Sequence, residues 1–85
     1  MSVPFPVRTI PRFERLARDL LRGHPEFNAL LDSALSILKA DPCNRSQVHH
    51  IKKLVGVPAG EGQWWLSLGR YRFRYDIYGR EVVVQ

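Results

Sequence analysis

The stretch Gly69-Arg70-Tyr71-Arg72-Phe73-Arg74-Tyr75-Asp76-Ile77 alternates between cations and apolar-bodied residues over most of its length. Successive side chains on a strand point to opposite faces, so this spacing predicts a half-buried strand. Tyr71, Phe73, Tyr75 and Ile77 fall on one face, and Arg70, Arg72 and Arg74 on the other. Gly69-Arg70 fits a type II′ hairpin turn with glycine first. Its partner strand is then Gln63 to Leu68. A two-residue turn sets Leu68 opposite Tyr71, Leu66 opposite Phe73 and Trp64 opposite Tyr75, all on the apolar face. Ser67 falls opposite Arg72 and Trp65 opposite Arg74 on the cationic face. A slip of one residue would mix the two faces. Trp65 beside Arg74 predicts a cation–π contact, worth roughly 0.5–1 kcal/mol at an exposed site.

Outward from this hairpin the periodicity changes twice. Beyond a turn at Tyr78-Gly79, residues Glu81 to Gln85 read as a last short strand. Before the hairpin, Val57 to Gly62 is a loop by composition, and Gln47 to Leu54 is basic and partly extended. Further upstream, Phe27, Leu30, Leu31, Ala34, Leu35 and Leu38 recur at helical spacing. Pro25 opens that helix and Asp41-Pro42 stops it. Phe13, Leu16, Ala17, Leu20 and Leu21 mark an earlier helix, with Pro11 in its first turn and Gly23 placed for a left-handed cap. The short link at Gly23-His24 predicts an antiparallel helical hairpin. Val3 to Ile10 has strand character, but Pro4 and Pro6 confine it to an edge or to a late start near Val7.

The expected fold is one α+β domain over residues 1–85, in the order β-α-α-β-β-β. An antiparallel sheet carries the helical hairpin on one face and leaves the arginine face open. The expected core is Phe13, Leu16, Leu20, Leu31, Leu35, Leu38, Trp64, Leu66, Leu68, Tyr71, Phe73 and Tyr75.

Size and charge bound the function. A chain of 85 residues buries only roughly 60% of its unfolded surface, so its stability margin is thin. The formal charge of +5 and pI near 10.0 favour polyanions and acidic partners. Cys43 has no second cysteine to pair with, which fits a reducing compartment. No run is apolar enough to span a membrane, and the N-terminus lacks a basic segment followed by an apolar one. The expectation is a cytoplasmic protein.

The arginine row suits phosphate, because guanidinium keeps its charge and its planar fork matches phosphate oxygens. A basic, aromatic-backed sheet points to RNA or to an acidic protein partner, and any proton transfer near neutral pH would fall to histidine or tyrosine. His24, His49, His50 and Tyr78 are the candidate proton carriers. Lys52 and Lys53 suit phosphate or solvent, and Trp65 suits packing or a base-stacking platform. Adjacent histidines with a single cysteine do not make a zinc ligand set, and no cofactor is called for.

The amphipathic helix pair, His50-Ile51-Lys52-Lys53-Leu54-x-Gly56, Gly62-Gln63-Trp64 and Gly69 to Tyr75 together resemble the RelE/ParE superfamily of type II toxin–antitoxin systems. The resemblance covers nearly the whole chain. It implies a microbial-ribonuclease-like sheet under a helical hairpin. It also implies a metal-independent endoribonuclease (an mRNA interferase) that inhibits translation at the ribosome, with an acidic antitoxin as partner and oligomers formed through it. Arg72 matches the arginine that follows the hairpin glycine. Relatives that rely on histidines would match His49 or His50, and His50 is the first choice for proton transfer for want of a better-placed base. Lys52, Lys53, Arg70, Arg74 and Trp65 are the expected RNA-, phosphate- or antitoxin-binding residues. Where RelE-type members carry basic strand residues this chain has Trp65 and Ser67, and the family's C-terminal arginine and tyrosine have no counterpart. The alternative is therefore a non-nucleolytic member, either a ParE-like gyrase poison or a degenerate toxin that binds its antitoxin.

Overall fold

The computed structural model describes residues 4–85, and Val3 of the expected first strand lies outside them. The elements are β1 (Val7–Thr9), α1 (Pro11–Gly23), α2 (Phe27–Ala40), β2 (Ile51–Lys53), β3 (Trp64–Leu68), β4 (Tyr71–Tyr78) and β5 (Glu81–Val84). The class is α+β. The β3–β4 hairpin has the register derived from its alternation, from Leu68 opposite Tyr71 to Trp64 opposite Tyr75. Gly69 takes a φ of 58° while Arg70 stays at negative φ, as a II′ turn requires.

The sheet corrects the expectation in two ways. Among the described residues it has five strands in the order β1-β5-β4-β3-β2, because the basic segment before Leu54 contributes β2 against β3. It is also mixed rather than antiparallel, since β1 runs parallel to β5. A two-residue turn forces its two strands to be antiparallel. No such turn ties β1 to β5, which are separated by almost the whole chain. β1 is an edge strand starting at Val7, where the prolines before it no longer interrupt the ladder.

Both helices form. Gly23 does not adopt the left-handed cap, because it is absent from the positive-φ positions. Instead α1 closes at His24, whose N–H donates to the Leu20 carbonyl at 2.7 Å. Phe27, at the start of α2, is the aromatic hub of the core. Its ring lies 5.9 Å from Phe73 and 5.1 Å from Tyr71. Leu38, Leu66, Tyr75, Val82 and Val84 are buried around it. The Tyr75 hydroxyl donates to the Pro42 carbonyl at 2.6 Å, joining the sheet to the end of α2. Burial, and then the negative charges of Cys43 and Asp41, push this phenol well above the ordinary tyrosine range.

One member of the expected core, Leu16, lies elsewhere, while Trp64 packs against the core from its edge. Leu16 is 55% exposed, and Ala17 takes the buried position. Leu16 sits on the rim of the α1 apolar stripe rather than at its centre. Trp64 is half-buried, stacked on Tyr75 at 6.3 Å and covered by the Lys53 ammonium at 5.4 Å. No helix among the described residues is long and apolar enough to cross a membrane.

Candidate nucleic-acid interface

The sheet register orders the side chains of the face turned away from Tyr71, Phe73 and Tyr75. Lys52 lies opposite Trp65, and Trp65 opposite Arg74, so these three form one row across β2, β3 and β4. The Ser67 N–H donates to the His50 carbonyl at 2.9 Å, and Ser67 lies opposite Arg72. His50, Ser67 and Arg72 therefore form a second row. Strands lie about 4.8 Å apart, so His50 and Arg72 stand about 10 Å apart at the backbone, with only a serine between them.

The third row is closed. Asp76 is fully buried. Its carboxylate accepts from the Gly62 N–H at 3.0 Å, the Gln63 N–H at 2.9 Å and the Gln85 side-chain amide at 2.9 Å. These bonds fold the segment 54–62 over the sheet. Gly62 approaches so closely that a Cβ there would lie 2.8 Å from Arg74 Cβ, and its φ is 82°. Arg74 donates from Nε (3.2 Å) and a terminal nitrogen (2.8 Å) to the Gly62 carbonyl. The arginine face is thus only half open, which corrects the expectation that it is open throughout.

This division sorts the expected site residues. Arg72 and Trp65 meet, with the guanidinium carbon 4.8 Å from the indole centroid. The expected partner was Arg74, directly opposite Trp65. The contact goes to the diagonal neighbour instead, because Arg74 is held by Gly62. Diagonal pairs remain within reach of long side chains. Lys52 and His50 share the open half with them. Lys53 does not, since it lies on the opposite face over Trp64. Arg70 is exposed in the hairpin turn, at the end of the sheet.

Three contributors were not read from the sequence. Asp76 is the buried anchor of the loop, and a carboxylate inside an alternating strand was the signal available. Arg12 and the exposed Leu16 of α1 border a groove of about 420 Å³ that Arg72, Arg74 and Gln85 also line. Residues 71–73 of β4 run past the end of β5. There α1 flanks the sheet, with Phe13 6.5 Å from Phe73.

His49 points away from this face, into a cleft of about 750 Å³ that also holds Asp41, Cys43 and Arg45. Asn44 fixes it there by bonding the His49 carbonyl at 2.9 Å and the His49 N–H at 3.1 Å. Slight burial tends to raise the Asp41 pKa. Bonds from the Ser46 hydroxyl, the Ser46 N–H and the Arg45 N–H, with the His49 charge, outweigh it and hold the carboxyl below its usual value. A lowered carboxyl stabilises the fold above the usual aspartate range and loses that contribution as pH falls through its folded value. Acid titration of Asp41→Asn should show less loss of stability below about pH 4 than the parent does. Identical acid limbs would remove Asp41 from the pH dependence. Among the described residues no group of three or more His, Cys, Asp or Glu could hold a metal ion.

No protein-family model, curated protein or solved structure matches the chain.

Proposed function

We propose that the protein is a RelE/ParE-type toxin that inhibits translation by engaging mRNA on the ribosome through the open half of its arginine face. The observation that carries this reading is the pair of adjacent rows, His50-Ser67-Arg72 and Lys52-Trp65-Arg74. They place a proton carrier, a fixed cation and further positive charge around one shallow site. Attack by a 2′-hydroxyl needs that combination of base and charge stabilisation. His50 takes the hydroxyl proton as the 2′-oxygen attacks phosphorus, Arg72 holds the phosphate as negative charge builds, and the P–O5′ bond breaks to leave a 2′,3′-cyclic phosphate, the departing 5′-oxygen taking its proton from water. The helical pair and the hairpin register support the finer assignment to a RelE-like topology. The open basic rows also suit an acidic antitoxin, whose association should slow as salt rises.

The test is codon-dependent cleavage of mRNA on programmed ribosomes. The parent should cut. His50→Ala should abolish cleavage. Arg72→Ala should lower it about tenfold, less than the 10²–10³ measured for a buried oxyanion donor, because Arg72 is exposed. A folded parent that cuts nothing would favour the non-nucleolytic alternative, for which the Trp65 and Ser67 positions already speak.

A further inference from the structure

Trp65 occupies the centre of the open half-face, where a purely electrostatic surface has no need of an indole. The structure gives this indole a specific partner. Of the two arginines beside it, Arg74 is bound to the Gly62 carbonyl, and Arg72 lies over the ring at 4.8 Å. Arg72 is exposed, and Ser67 opposite it is too small to cover it. We infer that the Arg72–Trp65 pair is a stacking platform that takes a nucleobase from single-stranded nucleic acid. A guanidinium resting on an indole presents its other planar face outward, and every base has a π-face that can lie on it. The N–H edge of Arg72 stays free for the reacting phosphate while its face takes the base, and Lys52, in the row of Trp65, and Arg12, on the groove that Arg72 also lines, stand on either side for the flanking phosphates.

The indole and the planar guanidinium distinguish single-stranded nucleic acid from two other occupants, which could use the charges alone. A base inside a duplex has both faces covered by its stacked neighbours and cannot reach the platform. An acidic peptide would gain from the charges but nothing from the indole. The inference rests on the proposal that this face meets RNA, and it adds the mode of contact and the single-stranded state of the ligand.

The experiment is fluorescence anisotropy with the full chain and labelled eight-nucleotide probes. The probes are oligo(A), oligo(dA), an abasic ribose-phosphate strand and an RNA duplex, with an oligoglutamate peptide of matched charge alongside. Oligo(A) should bind at least tenfold tighter than the abasic strand or the duplex. Oligo(dA) close to oligo(A) would assign the contact to the base, and a large preference for oligo(A) would add a ribose contact beside the platform. Trp65→Ala should weaken oligo(A) binding about five- to hundredfold. Arg72→Lys keeps the charge and loses the planar face, so it should weaken binding almost as much while the salt slope stays unchanged. This surface variant keeps the test decisive if Trp65→Ala fails to fold. Equal binding of oligo(A) and the abasic strand, or unchanged binding by folded Arg72→Lys, would overturn the platform in favour of charge alone. Oligoglutamate binding as tightly as oligo(A) would overturn it in favour of an acidic peptide surface. The ribosome assay separates the two proposals. Base-dependent binding without translational inhibition keeps the platform and loses the toxin, and the opposite result does the reverse.

Discussion

Phe73→Ala should lower the unfolding free energy by about 3–5 kcal/mol, the largest loss expected from any one side chain of the core. Phe73 is 4% exposed, between the rings of Phe13 and Phe27 and opposite Leu66. It is the point where α1, α2 and the central hairpin meet. Removing a buried phenylalanine side chain costs about 3–5 kcal/mol, part of it for the cavity left behind. At 0.05–0.15 kcal/mol per residue, a chain of this size has roughly 4–13 kcal/mol in all. Between about a quarter and all of that margin is therefore lost with one ring. Leu16→Ala is the informative comparison. It removes an apolar side chain from the same expected core, but an exposed one, and should cost less than about 1 kcal/mol. Urea denaturation followed by circular dichroism separates the two. Equal midpoints for the two variants would contradict the observed packing of α1 against β4.

Asp76→Ala should be the most damaging change among the polar residues. The carboxylate satisfies two backbone N–H groups of the 54–62 segment and its neighbour Gln63, together with the Gln85 amide. Alanine leaves Gly62 and Gln63 without an acceptor, at about 1–3 kcal/mol for each unsatisfied group. Asp76→Asn keeps one oxygen and should lose about half as much. The local consequence reaches the candidate site, because the Gly62 carbonyl holds Arg74 away from Trp65. Native-state hydrogen exchange should therefore show faster exchange at Gly62 and Gln63 in Asp76→Ala, beyond any global loss of stability. Unchanged protection of these two amides would remove Asp76 as the anchor of the loop.

The local pattern of the chain was enough to place the central hairpin. Strict alternation from Arg70 to Tyr75 and a glycine at the turn leave one register that keeps both faces pure, and β3 and β4 adopt it. Helical spacing likewise located α1 and α2, because each must bury one stripe. The same alternation puts Trp65, Arg72 and Arg74 on one face. It could not say which arginine would meet the indole. That choice depends on Gly62, twelve residues from Arg74 in the chain, whose close approach captures one guanidinium and leaves the other. Neither could it separate Lys52 from Lys53, because the short strand β2 reveals its parity only when it pairs with β3. The parallel edge strand, the exposure of Leu16 and the burial of Asp76 share one cause. Each is set by contacts between segments far apart in sequence, and periodicity within a segment carries no record of what later packs against it.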